Sequence, residues 1–472
     1  MTRTGFLGDL LTQLVERRFI PFRPAGDKPM EELCRALMSG QGEVSAMRLA
    51  REILGRYRRL DGDGRRAFFD LLAEGFDIDP DALTEAAAAY ARKRDAAHLD
   101  RVVQAAEPGR QELFRRLNHA PGATGELVRM RRDLLALLPE APALARVDLD
   151  FAHLFASWFN RGFLVLRQIT WDTPARLLEK IIGYEAVHEI GDWDALRARI
   201  DPPDRRCFAF FHPAMPDEPL IFVQVALVRG LPGSVQAILD PGRSVLDPAT
   251  ADTATFYSIS NCQEGLRGIS FGNSLIKQVV ELLRQEFPHL RTFVTLSPIP
   301  GLARWLDEQG AAGDASAAWL LEMARTGRGG LDEAAALALR RHAARYLLQA
   351  RRPDDRPRDP VARFHLGNGA QVHEVHAGAD FSARGLAQSC GAMVNYLYDP
   401  DAVEANHEDY AAGRRVAASR GVRTLARGVT DWPGGAPRAK AAAEAPEVAP
   451  ADSAQPVETS EEETRRDGQS AP

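Results

Sequence analysis

Residues 254–301 read ATFYSISNCQEGLRGISFGNSLIKQVVELLRQEFPHLRTFVTLSPIPG, and their pattern decides the fold around them. ATFYSIS is rich in aromatic and β-branched side chains, which suit a pleated, buried strand. Glycines follow at 265, 268 and 272. Behind them Leu275, Ile276, Val279, Val280, Leu282 and Leu283 recur at the three- and four-residue spacing of an amphipathic helix. Thr292–Leu296 is a second short strand, ended by Pro298 and Pro300. Strand, glycine turn, helix, strand is a βαβ unit. The first N–H groups of a helix are unpaired and sit at the positive end of its dipole, so the turn stands where a phosphate would bind. The same spacing also serves plain chain reversal. No Gly-Lys-Ser/Thr closes the turn and no clean G-x-G-x-x-G is present, so neither a Walker A loop nor a dinucleotide fingerprint is read here.

Length and composition bound the rest. A chain of 472 residues suggests about two to four domains and ample material for a core. With 45% hydrophobic and 26% charged residues, the composition is that of an ordinary soluble protein. A net charge of −6 and the lack of a basic stripe interleaved with aromatics argue against nucleic acid as a partner. No apolar run reaches the length of a membrane span, so no membrane partner is expected. The segment MTRTGFLGDLLTQLVERRF is amphipathic and carries Asp9 and Glu16, unlike a secretion signal. The chain stops at Gln-Ser-Ala-Pro, without a peroxisomal Ser-Lys-Leu. Cys34, Cys207, Cys262 and Cys390 lie far apart, which predicts buried thiols in a reducing cytoplasm and neither a zinc site nor a disulfide framework.

From Met1 to about Trp158 the pattern is helical: LGDLLTQLVERRF, MEELCRALMS, SAMRLAREILGRYRRL, RRAFFDLLAEGF, ALTEAAAAYARKRDAAHLDRVVQAA, GRQELFRRL and GELVRMRRDLLALL each carry an apolar stripe. Breaks fall at Asp61–Gly64, Asp77–Pro80, Glu107–Gly109 and Ala120–Gly122, with Asp79 before Pro80 and Ser45 before Ala46 as N-caps. That predicts a bundle serving as scaffold or oligomerisation domain. The aromatic-dense Phe151–Phe163 marks a seam between domains. Beyond it, ARLLEKIIGYEAVHEI is expected helical, CFAFFH, LIFVQVALV and VQAILD extended, with Pro213–Pro219 as a hairpin loop. LIFVQVALV is apolar throughout, as a strand covered on both faces requires. LARWLDEQG and LDEAAALALRRHAARYLLQAR return to helix; FHLGNGAQVHEVH reads as a turn between extended segments, and ARGLAQSCGAMVNYLY as a helix. Past about Gly428, Pro, Ala, Glu, Ser and Thr replace large apolar residues, a composition that predicts disorder.

Several of these strings carry a resemblance. Arg267–Gly272 resembles the Arg/Gln-x-x-Gly-x-Gly/Ala pyrophosphate loop of the N-acetyltransferase (GNAT) superfamily, which holds coenzyme A, with Ser270 standing where the first of those glycines usually is. SWFNRGFL, ITWDTP, EAVHEIGDWDALRARI, RRCFAFFHPAMPDEPLIFVQVAL, FYSIS, GLRGISFGNSLIKQVVELLRQEFPHL, TLSPIPGLARWL, FHLGNGA and SCGAMVNYLY together, in order from about Asp148 to Tyr398, resemble the malonyl-CoA decarboxylase family. The resemblance implies an α+β chain: an all-helical domain over 1–157 that builds a homotetramer, an acetyltransferase-like mixed-sheet domain over 158–429, and a tail over 430–472. It implies cleavage of malonyl-CoA to acetyl-CoA and carbon dioxide with no metal, biotin or other cofactor. The family's catalytic serine falls on Ser297 and its catalytic histidine on His365; a site serine falls on Ser258 and a tyrosine on Tyr398. Arg267, Gly268, Ser270, Gly272 and Asn273 fall in the coenzyme A turn. Some members carry Glu at the position of Ser270, and no role of that Glu transfers.

These residue types suit the chemistry. Loss of carbon dioxide from a malonyl thioester sends electrons onto the thioester carbonyl, so the substrate is its own electron sink. The protein must supply a donor at the developing oxyanion. An imidazole can donate and then deliver a proton, which suits His365; Ser297, on a rigid turn before two prolines, can orient the carboxylate or relay the proton to C2. Each has a plainer reading. A His between Phe364 and Leu366 is ordinarily a core residue, Ser297 a turn serine, Ser258 a strand filler, and Arg267 loop decoration. His212, His289, His373 and His376 have no recognisable metal-ligand spacing, and the last two straddle a strand. Two other functions share the same cradle: an N-acyltransferase acting on an amine, and a non-catalytic acyl-CoA sensor.

Overall fold

The computed structural model describes residues 28–40, 42–269, 275–326 and 331–428. Its amino-terminal part, to Trp158, is a stack of helices: α1 (Met30–Met38), α2 (Glu43–Arg59), α3 (Gly62–Gly75), α4 (Pro80–Arg92), α5 (Ala96–Ala106), α6 (Gly109–Asn118), α7 (Ala123–Leu137) and α8 (Ala145–Trp158). Their ends follow the capping chemistry in the sequence. Asp61 accepts from Gly64 N–H at 2.8 Å, and Asp79, followed by Pro80 in the first turn, accepts from Asp81 and Ala82. Ser45 is not a cap: α2 starts earlier, on Gly42, whose carbonyl takes the Ser45 and Ala46 N–H groups. The stretch from Ala82 to Ala106, expected as one helix, is two. Asp95 caps a fresh start by accepting from His98 N–H at 2.9 Å, so the chain reverses between α4 and α5. The amino-terminal stripe LGDLLTQLVERRF lies outside the described residues, as does the segment expected to be disordered from 429 on.

Phe151, Phe155 and Phe159 are buried and pack ring against ring at the end of α8. Phe159 packs on His212 with ring centroids 5.0 Å apart, and the His212 ring bonds the Trp158 carbonyl at 3.1 Å. Beyond α8, an eight-stranded mixed sheet comprises β1 (Val165–Ile169), β2 (Arg205–His212), β3 (Met215–Val228), β4 (Thr253–Asn261), β5 (Thr292–Thr295), β6 (Ser297–Pro298), β7 (Gln371–His376) and β8 (Met393–Leu397). The order is β1-β2-β3-β4-β5-β8, with β6 and β7 also on β8. All pairs are antiparallel except β4 and β5, which run parallel from Thr253↔Thr292 to Phe256↔Thr295. That parallel pair, crossed by α12 (Leu275–Glu286), is the βαβ unit of the opening stretch. Leu275, Ile276, Val279 and Leu283 of α12 are buried, whereas Leu282 faces outward.

Leu220–Leu227 of β3 is buried on both faces, as its unbroken apolar run requires. One face is covered by α9 (Ala175–Tyr184) and α10 (Trp193–Ile200), whose Leu178, Ile181, Leu196 and Ile200 pack against Phe211 and Phe222. The other meets α11 (Val235–Leu239), whose Val235 and Ile238 pack against Tyr257, Leu296 and Met393. VQAILD, expected as a strand, is therefore a helical turn; Val235 N–H bonds the Ala379 carbonyl rather than a ladder. The β2–β3 hairpin is tighter than expected, because pairing resumes at His212↔Met215 and only Pro213 and Ala214 remain as loop. Behind the sheet lie α13 (Leu302–Ala311), α14 (Ala315–Thr326), α15 (Glu333–Gln349), α16 (Pro360–Gly367), α17 (Ala383–Ser389), α18 (Val403–Gly413) and α19 (Arg420–Arg427).

Two further expectations change here, both next to the site. FHLG is not a turn: Asp359 before Pro360 starts α16 just as Asp79 starts α4, and His365 lies in its last turn. ARGLAQSCGAMVNYLY is not one helix. Cys390 (φ 52°) and Gly391 (φ 78°) end α17 in the left-handed region, and the aromatic run after them pairs as β8.

Candidate active site

The site grows from the place where β5 hands over to β6. Thr295 ends β5, Leu296 is buried, and Ser297 pairs with Val394 of β8 before Pro298 stops the ladder. Ser297 is thus held at a strand end, 6% exposed. Opposite it, α16 brings in His365, 2% exposed, with its ring stacked on Tyr396 at 4.4 Å between centroids. His365 Nε2 lies 3.2 Å from Ser297 Oγ and Nδ1 lies 2.8 Å from the Tyr398 hydroxyl. Ser297 Oγ donates to Thr295 Oγ1 at 2.9 Å, and Thr295 Oγ1 also accepts from Tyr396 N–H at 3.2 Å. Three residues singled out from the sequence, 68 and 33 positions apart, therefore form one buried chain.

One proton assignment satisfies that chain. Burial raises the Tyr398 phenol well above its ordinary range, so it keeps its proton. Burial lowers His365 to about 3, so the imidazole is neutral. Were the imidazole proton on Nδ1, the Tyr398 O–H would face a donor and lose its acceptor, which a buried hydroxyl does not tolerate. Tyr398 therefore donates to Nδ1, and Nε2–H points at Ser297 Oγ. His365 thus presents a neutral N–H donor to Ser297 Oγ.

Asp359 ties the two halves together. Its carboxylate accepts from Ala362 N–H at 2.9 Å, capping the helix that bears His365, and makes a long 3.5 Å contact with Gly301 N–H, in the turn that follows Ser297. It is fully buried, and burial pushes its carboxyl up to about 6 against the opposing pull of those N–H groups. The Gly301 turn itself is close-packed: a Cβ there would stand 2.0 Å from the Tyr346 hydroxyl.

A cleft of about 440 Å³ lies between the glycine turn and the helix that bears His365. Arg267, Gly268, Ile269 and Leu275 line one side; Arg363, Phe364, Gly367 and Asn368, flanking His365, line the other. Gly268 has φ 82°, a conformation that disfavours any side chain. Ser270, Gly272 and Asn273 lie outside the described residues.

Ser258 belongs to a different group. Its hydroxyl donates to the Glu185 carboxylate at 2.8 Å, beside Ser260 at 3.1 Å and Gln224 Nε2 at 2.8 Å. With Val187 and His188 N–H also on Glu185, this is a closed polar knot, and no hydrogen bond joins it to His365 among the described residues. The histidines weighed as ligands are scattered: His289 bonds the Pro248 carbonyl and His376 the Asn395 side chain. Among the described residues no three His, Cys, Asp or Glu side chains gather as a metal site. Sequence reasoning missed Asp359, Thr295, Tyr396 and Glu185. Only Asp359 had a legible signal, the Asp-Pro pair that had marked Asp79.

The similarity to known proteins runs along the whole of this architecture. A family model for the malonyl-CoA decarboxylase C-terminal domain matches residues 162–433, and one for the N-terminal domain matches 76–159. The mitochondrial malonyl-CoA decarboxylase of Rattus norvegicus is 31% identical over 468 residues, covering 89% of this chain and 92% of its own. That of Anser anser anser is 33% identical over 418 residues, covering 80% and 83%. A crystal structure of malonyl-CoA decarboxylase from Rhodopseudomonas palustris superposes with a TM-score of 0.80 at 50% identity, covering 84% of this chain and 98% of that one. One from Agrobacterium vitis gives 0.79 at 49%, covering 84% and 99%. A helical half, a mixed sheet with one parallel pair, and a match through both halves lead to one conclusion: this chain belongs to the malonyl-CoA decarboxylase family.

Proposed function

We propose that the chain is a carboxy-lyase that converts malonyl-CoA to acetyl-CoA and carbon dioxide, with His365 and Ser297 at the reacting atoms. The observation that carries this is the neutral Nε2–H of His365, 3.2 Å from Ser297 Oγ, on the helix whose Phe364 and Gly367 wall the same cleft as the glycine turn. The nucleotide end of the substrate lies along Arg267, Gly268, Ser270, Gly272 and Asn273, where backbone N–H groups suit the diphosphate. The thioester carbonyl oxygen takes the proton-bearing Nε2 of His365, and the carboxylate lies against Ser297. The C2–carboxylate bond breaks, its electron pair moves onto the thioester carbonyl, and carbon dioxide leaves. The enolate oxygen gains a donor already aimed and desolvated, a contribution on the order of 3 kcal/mol. One proton from solvent, relayed through Ser297 Oγ, closes the balance at C2. Tyr398 keeps His365 in the donating tautomer. Ser258 acts one layer back, fixing Glu185 and the strand beside the cleft. No metal or prosthetic group enters this scheme, because the thioester accepts the electrons itself.

The protein assembles as a homotetramer in this reading. The α4–α5 hairpin supports it: neither helix buries a residue within the chain, and Leu99 and Val103 are 46% and 58% exposed along one face. Four free, buried cysteines suit a reducing compartment, and we assign the cytoplasm. No helix among the described residues is long and apolar enough to cross a membrane. The deciding experiment supplies carboxyl-labelled malonyl-CoA to the purified protein with a chelator and no acyl acceptor. Release of labelled carbon dioxide with stoichiometric acetyl-CoA is expected. An acyltransferase would need an added amine, and a sensor would bind without turnover; either result overturns the assignment.

A further inference from the structure

One side chain of the amino-terminal helices hydrogen-bonds the glycine turn. Arg131, on α7, is 3% exposed and spans the boundary between the helical half and the sheet. Its Nε and Nη2 face Asp148 at 2.7 and 3.4 Å, which fixes the guanidinium plane. Its Nη1 donates to two carbonyls of the turn, Gly265 at 2.8 Å and Arg267 at 2.9 Å. The backbone of α7 presses on the same turn. A Cβ on Gly265 would sit 1.9 Å from the Val128 carbonyl oxygen, a contact only glycine permits.

The consequence for the turn follows from peptide geometry. In a trans peptide the C=O and the next N–H point in opposite directions. With the Arg267 carbonyl held on Arg131, the Gly268 N–H is directed away from α7. Gly268 lines the cleft and adopts φ 82°. Glu264, Leu266 and Arg267 line that cleft as well. The guanidinium thus fixes the turn from the side opposite its ligand.

We propose that Arg131 is a positioning residue for substrate binding: it holds the 264–268 turn in the conformation that receives the coenzyme A diphosphate, making the helical half part of substrate recognition as well as scaffold. This rests on the reading of the turn as a diphosphate cradle. A residue that merely glues two halves together would lower stability and affect all substrates alike. One that shapes the cradle affects only substrates that carry the nucleotide.

The test compares malonyl-CoA with malonyl-N-acetylcysteamine, which has the same reacting thioester and no nucleotide, in the full-length protein. For Arg131→Met, KM for malonyl-CoA is expected to rise about tenfold, the loss of one charged hydrogen-bonding group, with kcat within about twofold. The kcat/KM for the truncated thioester stays at the parent value. Arg131→Lys, which keeps the charge and one donor direction, shows the same selectivity at smaller amplitude and serves if the Met variant does not fold. Equal losses on both thioesters, or an unchanged KM for malonyl-CoA, overturn the proposal. Gly268→Val strains the turn itself and tells the two ideas apart. If it weakens malonyl-CoA selectively while the Arg131 variants do not, the role of Arg131 falls and the cradle stands. If it too affects both thioesters equally, the cradle reading falls, and the proposal with it.

Discussion

Tyr398→Phe removes one oxygen atom from the buried chain and leaves the packing in place. The ring keeps its edge contacts with Phe256 and His365, at 6.5 and 6.0 Å between centroids. What goes is the O–H donated to His365 Nδ1 at 2.8 Å. The imidazole nitrogen is then a buried acceptor without a partner, at a cost of about 1–3 kcal/mol. The variant imidazole is also free to carry its proton on Nδ1, turning a lone pair toward Ser297 where a donor is needed. If the full cost is felt at the transition state, kcat falls about 5- to 150-fold. KM for malonyl-CoA should move less than about twofold, because the cleft walls at Arg267 and Phe364 are untouched. Labelled carbon dioxide release at saturating substrate measures kcat, and a thermal melt reports whether the fold survives. Because burial lowers His365 to about 3, neither parent nor variant should show an imidazole inflection in kcat between about pH 5 and 8. A kcat within about twofold of the parent, in a protein that melts normally, would refute the tautomer argument and the role given to Tyr398.

His365→Ala and Ser297→Ala should each lower kcat by at least about a hundredfold, as expected for removal of an acid–base group; near-parent turnover in both would remove those assignments. Asp359 has its folded pKa raised from 3.8 to about 6, so between those values the folded state holds the extra proton. Its contribution to stability is full below about pH 4 and is lost as pH rises through 6, by about 3 kcal/mol at most. The melting-temperature difference between parent and Asp359→Asn should therefore shrink as pH rises through that window, and a constant difference would contradict it. Gly301→Ala places a methyl 2.0 Å from the Tyr346 hydroxyl and should destabilise by about 1–3 kcal/mol. Adding Tyr346→Phe should restore part of that loss in a denaturant titration, and strict additivity of the two substitutions would count against the clash.

The βαβ unit was legible because it is local: strand, turn, helix and strand follow one another in 48 residues, each with its own periodicity. The helix start at Asp79 was equally plain, since a cap is decided by the next three residues. Errors arose where a distant partner decides. NYLY has helix-compatible neighbours, and pairing with β5, β6 and β7, all distant in sequence, makes it a strand. FHLG was the exception: Asp359 before Pro360 caps its helix on Ala362 N–H, three residues on, and that local signal was overlooked. The Ser297–His365–Tyr398 association was available from family resemblance and from nothing local, for no spacing rule links residues 68 apart. Thr295 and Tyr396 were invisible for the same reason. So was Glu185, whose partners come from β3 and β4.

The 1.9 Å approach that any Cβ on Gly265 would make to Val128 has a consequence for how damage would show itself. Variants that lower turnover at limiting substrate would be expected to map to α7 and α8, to residues such as Val128, Arg131 and Asp148 that are remote from any bond being broken. In a collection of naturally occurring alleles, such substitutions would look like folding lesions in a dispensable appendage. They would nevertheless melt close to the parent and recover turnover as substrate is raised.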